Sequence, residues 1–348
     1  SHAAATADIH AVRHHGEHGR RRPAKTVAWG TTTGGSMALA PIDLAGKRLL
    51  ITGPTGQVAL PVVAAYAKSA EVFALARFMR EEDVAQIRAL GAVPIKADLG
   101  EPASLRQLPA DIDYVLNFAV AKSGRWAVDL RANAEGIGDL MMQLPRAKAV
   151  VHFSSGAVYA YGGDAPRRED SALGDNHRSV FPTYSISKIA AETVVRLCAR
   201  RLGVPATIAR LSVPYGDTGG WPFYHLIMMR QGAPITVHPA RPNLYNLLHV
   251  DDYLEKIPRL LAAASVDTTT VNFGGSQSTS IEDWCGYLQE LTGLVPTFQE
   301  DTEAFGSLCL DTQRMHALIG PTRVDWRDGI LRMVRHLAED ALKPEYRA

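Results

Sequence analysis

Lys47-Arg-Leu-Leu-Ile-Thr-Gly-Pro-Thr-Gly-Gln-Val-Ala59 reads as a buried strand, a glycine turn and the opening of a helix. Glycines at a strand–helix junction let backbone N–H groups approach a pyrophosphate, and the helix N-terminus favours its negative charge. The spacing is Gly53-x-x-Gly56-x-x-Ala59, and alanine at the last position still permits close packing of helix on sheet. A turn with two glycines is common; its place after a first strand gives it meaning as a dinucleotide loop. Gly53, Thr55, Gly56, Gln57 and Val58 are therefore expected to bind a dinucleotide.

Outward from this loop the pattern alternates. Strands are expected at 47–52, 71–76, 92–96, 113–118, 149–154 and 206–210, with helices at 56–68, 80–90, 127–144 and 183–202. Continuous apolar strands alternating with helices predict an α/β, doubly wound parallel Rossmann sheet, with its ligand beyond the carboxyl ends of the strands. After Tyr215 proline and glycine become frequent, and short helices are expected at 281–292 and 325–339. The expected organisation is a disordered leader or tag-like segment over 1–40 and a dinucleotide-binding Rossmann domain over 41–213. A smaller substrate-binding lobe follows over 214–348, with segments near 245–275 returning to the first domain.

Composition excludes several classes. Lys and Arg number 37 against 36 Asp and Glu, which gives no electrostatic footprint for nucleic acid. The longest apolar run, near Val58–Ala67, is too short for a bilayer and is broken by Pro61. Cys198, Cys285 and Cys309 are odd in number and in no metal spacing, so buried free thiols in a reducing, cytoplasmic setting are expected. His10, His14, His15 and His18 could in principle hold a metal ion, but the leader has no apolar periodicity. No metal site is expected.

The second strand ends in Ala76-Arg77, where an acid would meet the 2′-hydroxyl of NAD. Arg77 suits a 2′-phosphate instead, so NADP is the preferred cofactor and NAD the alternative. Asp98-Leu99, after the third strand, is placed to touch the adenine. Tyr184-Ser-Ile-Ser-Lys188 opens a helix, and a spacing of four puts both side chains on one face. A free phenol, with its pKa near about 10, is too weak an acid at neutral pH. An adjacent ammonium and the positive charge of an oxidised nicotinamide would lower it. Ser154 and Ser155 end the fifth strand, where a hydroxyl can polarise the reacting oxygen.

These stretches together resemble the extended short-chain dehydrogenase/reductases, the NAD(P)-dependent epimerase/dehydratase family. The resemblance runs from about Leu44 onward. It includes Asn117-Phe-Ala-Val120, Asn133-Ala-Glu-Gly136, Arg210-Leu-Ser-Val-Pro-Tyr-Gly216, Leu248-His-Val-Asp-Asp252 and Asn272-Phe-Gly-Gly275. It implies Ser155 as the catalytic hydroxyl with Ser154 its competitor, Tyr184 as acid/base, and Lys188 as its partner and a cofactor ligand. Ala119 would line the cofactor, Asn133 would support the site, and a homodimer would form through helices including 183–202. Members that dehydrate sugars carry Asp-Glu where this chain has Gly156-Ala157, so dehydration is not expected. Arg230 and Arg241 are candidates to clamp a diphosphate. Trp126, Trp221, Phe223 and Tyr224 are candidates to line an apolar pocket, while His225 and His249 read as structural. The implied function is hydride transfer between a nicotinamide and a carbonyl or secondary alcohol. A nucleotide-sugar 4-epimerase with tightly held NAD is the alternative, and a non-catalytic dinucleotide-binding regulator the third reading.

Overall fold

Residues 38–347 are described by the computed structural model. The expected leader lies outside them apart from its last three residues, beyond which Pro41 begins the expected domain; Leu39 already donates its N–H to the Leu318 carbonyl. Six strands and four helices emerge close to their expected bounds: β1 Arg48–Thr52, α1 Ala59–Tyr66, β2 Glu71–Ala76, α2 Glu81–Ala89, β3 Val93–Lys96, β4 Tyr114–Asn117, α3 Trp126–Leu130, α4 Gly136–Gln143, β5 Ala149–Ser155, α5 Tyr184–Leu202 and β6 Ala206–Leu211. In this count α3 and α4 together stand for the one helix expected at 127–144. Thr269–Phe273 adds a seventh strand on β6, and all seven run parallel in the order β3-β2-β1-β4-β5-β6-(269–273).

Strand periodicity sorts the core. Leu49 and Ile51 point to one face of the sheet, with Val62 and Val63 of α1 and Ile87 of α2. Leu50 points to the other, with Ile137 and Leu140 of α4 and Val195 of α5. Neighbouring strands β1 and β4 diverge in their connections, one to α1 and one to α3, which opens a crevice at their carboxyl ends.

The 127–144 helix is not α-helical throughout. A π turn over Arg131–Glu135 separates α3 from α4. Such single wide turns cluster at functional sites, and this one carries Asn133. Three helices were missed, α6 Trp221–Gln231, α7 Val250–Ala262 and the short helix Gln313–Ile319. Their glycines and prolines are punctuation rather than looseness. Pro222 lies in the first turn of α6, and Gly232 caps its end at φ 64°. Pro258 sits inside α7 and masked its periodicity. Beyond β6, Trp284, Leu226, Met333 and Tyr245 gather in a third cluster with α6 and α8 (Ile281–Thr292). The three cysteines are free and buried.

Candidate active site

The dinucleotide loop is shaped by one contact. Gly53 has φ 65°, and a Cβ there would stand 3.0 Å from the Ala119 Cα. Only glycine accepts both that conformation and that approach. The tip of β1 is locked beneath it. Thr52 Oγ1 accepts from the Ala119 N–H at 3.0 Å and donates to Asn117 Oδ1 at 2.7 Å. Asn117 Nδ2 donates in turn to His152 Nδ1 at 2.8 Å. Burial, helped by Lys188, pushes His152 down to about 3, so its ring is neutral and free to accept.

Above the carboxyl ends lies a groove of about 620 Å³, lined by Gly53, Thr55, Gly56, Arg77, Asp98, Leu99, Ala119 and Asn133 among others. Ligand pockets range over ~300–1,000 Å³. The start of α1 carries no acidic residue in its first turn, so its free N–H groups meet no competing carboxylate. Arg77 is exposed at the groove rim. One carboxylate oxygen of Asp98 accepts from the Gly100 N–H at 2.8 Å. These residues fit a dinucleotide. Gln57 and Val58 are placed differently from the other expected ligands. The Gln57 amide donates to the Pro214 carbonyl at 3.3 Å, and Val58 packs on the core.

At the other end of the crevice the two serines part company. Ser154 is buried and donates to Glu192 Oε1 at 2.7 Å. Ser155 accepts from the Ala157 N–H at 3.1 Å and also reaches the Tyr184 hydroxyl. Tyr184 and Lys188 lie one turn apart on α5, and the Lys188 ammonium donates to the Phe153 carbonyl at 2.8 Å. Burial pushes the Tyr184 phenol up, and the bond with Ser155 only partly offsets it. The expected lowering by Lys188 is not seen, because that ammonium is turned onto Phe153. Lys188 itself is pushed down to about 8, by burial and then by Lys122, against the pull of Glu192.

Supporting residues anchor this arrangement. Asn133 accepts from the Ala121 N–H at 2.6 Å and donates to the Ala121 carbonyl at 2.8 Å and Ser187 Oγ at 3.0 Å. The buried Asp129 carboxylate gathers the Ser123 and Gly124 N–H groups, the Ser123 hydroxyl and the Thr183 hydroxyl. Burial alone would raise its pKa; those donors hold it below the usual range. It thereby ties the 121–124 loop to the residue before Tyr184. Sequence reading missed Asp129 and Lys122. Lys122 places its ammonium 4.8 Å from the Phe181 ring centre and 4.9 Å from that of Tyr184. Its signal was its place three residues after Ala119, two beyond the matched stretch Asn117–Val120.

Other candidates are engaged elsewhere. Arg230 pairs with Asp340, and Arg241 with Glu282 and Glu300. His225 accepts from Trp284 Nε1 at 2.9 Å, and His249 accepts from the Asp251 N–H at 3.2 Å. Trp221 packs edge-on against Tyr245 at 4.9 Å, whereas Trp126 and Tyr224 stand exposed and Phe223 is half-buried. Among the described residues no cluster suits a metal ion, and no helix is long and apolar enough to cross a membrane.

Comparison with known proteins adds an independent finding. The model of the NAD dependent epimerase/dehydratase family matches residues 49–274. dTDP-glucose 4,6-dehydratases of Mycolicibacterium smegmatis and Mycobacterium tuberculosis are 27% identical over 191 residues, 50% of this chain and 55% of theirs. The chain thus spans about half the length of these curated relatives. Among solved structures, UDP-glucuronic acid 4-epimerase from Bacillus cereus, in complex with UDP-glucuronic acid and NAD, superposes with a TM-score of 0.70 at 18% identity, over 83% of this chain and 98% of that one. dTDP-glucose 4,6-dehydratase from Streptomyces venezuelae, with NAD and TYD bound, gives 0.71 at 22% identity over 84% and 97%. At these identities the superpositions establish the shared fold.

Proposed function

The chain belongs to the NAD dependent epimerase/dehydratase family, and from that premise we propose that it is a nicotinamide-dependent oxidoreductase acting on a carbonyl or secondary alcohol. One observation carries the reading: Ser155, Tyr184 and Lys188 converge at the end of β5, beside the dinucleotide groove. Ser155 holds the reacting oxygen. Tyr184, kept neutral by burial, hands it a proton in the reductive direction and takes one back in the oxidative. Lys188 swings between the Phe153 carbonyl and the cofactor ribose, and its charge steadies the phenolate. The nicotinamide, when bound, supplies or accepts the hydride. Residues 41–213 hold the cofactor and 214–348 the substrate. A homodimer through α4 and α5, where Met142 and Leu197 stand exposed, and a cytoplasmic location complete the proposal.

The test is hydride exchange with both cofactors across a panel of ketones and secondary alcohols. Absence of exchange across the panel, with the cofactor bound, would refute it. A 4-epimerase is the second reading, supported by the UDP-glucuronic acid 4-epimerase likeness; it needs the same three residues and retained cofactor. Dehydration is not proposed, because elimination needs an acid and a base at adjacent carbons, and Gly156 and Ala157 supply neither. Gly156 instead backs onto Leu308, which would stand 3.1 Å from a Cβ there.

Cofactor choice rests on Arg77. Arg77→Ala is expected to weaken NADP binding about tenfold, the loss of one charge-assisted contact, and to leave NAD binding unchanged. Titration of both cofactors checks this; an equal loss for both would remove the 2′-phosphate role. The second expectation concerns pH. Lys188 is charged below about 8 and neutral above, so turnover should fall as pH rises through that value. Lys188→Arg keeps its charge throughout and should flatten this alkaline limb even where it lowers the rate. A limb that survives the substitution unmoved would assign it to another group.

A further inference from the structure

We infer that the substrate half of this site is built for an uncharged ring carried beside the reacting carbonyl, aromatic or alicyclic, and not for a nucleoside diphosphate. The inference rests on the hydride-transfer reading for the position of the reacting carbon and goes beyond it in naming the substrate class.

Half-buried rings crowd the open side of Tyr184. Phe181 lies 5.9 Å from it and His177 6.2 Å, centre to centre. Phe305, arriving from the far lobe, stacks on His177 at 3.9 Å and lies 6.2 Å from Phe181 and 6.1 Å from Trp221. Each of these rings keeps part of its surface exposed, and exposed aromatic surface gains by being covered. Burial and the nearby Lys122 push His177 down to about 4, so it is a neutral ring near pH 7. Lys122 itself is turned onto the faces of Phe181 and Tyr184.

The Phe305 segment is fixed in place. The Tyr245 hydroxyl donates to the Gly306 carbonyl at 2.7 Å, and Ser179 donates to the Glu303 carbonyl at 2.6 Å. It carries the exposed Asp301 and Glu303, both within four residues of Phe305. Those carboxylates repel a diphosphate. The two arginines expected to clamp a diphosphate are engaged elsewhere: Arg241 is paired with Glu282 and Glu300 and lies over the Phe298 ring, and Arg230 is paired with Asp340. Ring surface with acidic flanks suits a neutral cyclic ketone or alcohol.

The full chain, saturated with its preferred cofactor, is titrated calorimetrically with tetralone, a neutral ring ketone, and with UDP. Saturable tetralone binding is expected, weakened about tenfold or more by Phe305→Ala and unchanged by Arg230→Ala, with no saturable UDP binding in the millimolar range. UDP binding in that range overturns the inference. So does tetralone binding that is absent or indifferent to Phe305→Ala. Phe305→Leu, checked by its melting temperature, replaces the alanine variant if that one fails to fold, and is expected to weaken binding in the same direction. NADPH oxidation is followed in parallel. Tetralone bound but never reduced would sink the hydride-transfer reading and leave the ring pocket standing; reduction indifferent to Phe305 would do the reverse.

Discussion

Tyr184→Phe is expected to lower turnover of any accepted substrate by at least about 100-fold, the low end of what a positioned general acid contributes. Cofactor affinity should be unchanged, because Tyr184 stands at the Ser155 end of the crevice and the groove is lined by other residues. The substitution removes one hydroxyl and keeps the ring that Phe181, His177 and Lys122 pack around. A fall in rate is then chemical rather than structural. Single-turnover kinetics beside cofactor titration separates the two. A variant that keeps more than about a tenth of the wild-type rate would remove Tyr184 from the proton-transfer role. Ser154→Ala and Ser155→Ala extend the test. Ser154 is bonded to Glu192 and Ser155 reaches Tyr184, so the larger loss in rate belongs to Ser155.

The second large effect is on stability. Glu192 is completely buried, and its carboxylate accepts from Arg210 Nε at 2.9 Å, Arg210 Nη2 at 2.8 Å, Arg196 at 3.0 Å and Ser154. Burial alone would push Glu192 up and Arg210 down; the bonds between them reverse both directions. Glu192→Ala strands the Arg210 guanidinium in the interior. Removing one partner of a buried pair costs about 3–5 kcal/mol, a large share of the ~5–15 kcal/mol that holds a protein folded. Urea unfolding followed by circular dichroism measures it, and a loss below about 1 kcal/mol would show that water reaches Arg210. Arg210 also lies 4.8 Å over the Tyr159 ring, and its Nη1 donates to the Glu169 carbonyl. Its displacement would therefore loosen the loop that leads toward Tyr184.

The sheet and the candidate site were legible because their signals are local. A run such as Glu71–Ala76 is apolar along its length since both its faces are covered, and it forms the strand expected of it. Tyr184 and Lys188 are fixed relative to each other by helical spacing alone. What was illegible depends on partners distant in sequence. The strand Thr269–Phe273 earns its place only by pairing with β6, some 60 positions earlier. Asp129 looks like any helix acid until Thr183 is brought to it. Phe305 sits in a stretch of Asp, Glu, Thr and Gly with no periodicity, and joins the ring cluster beside Tyr184 only because Ser179 and Tyr245 hold its segment there. The different surroundings of Ser154 and Ser155 likewise depend on a residue 38 positions from Ser154, Glu192.

The wide turn at Arg131–Glu135 has a consequence for helix phase. Each residue of an α-helix advances the side chain by about 100°, and a π turn holds one residue more than the helix around it requires. Upstream of that surplus, Asp129 faces Thr183; within it, Asn133 faces Ala121 and Ser187. Downstream, Gly136 lies so close to Leu99 that a Cβ would stand 2.7 Å from its carbonyl oxygen, and Gly138 is pressed as near to Val194. An unbroken helix could keep one of these alignments but would rotate the other away. The extra residue works as a phase shifter: it lets one continuous rod answer to the substrate end of α5 with its first half and to the sheet and the middle of α5 with its second.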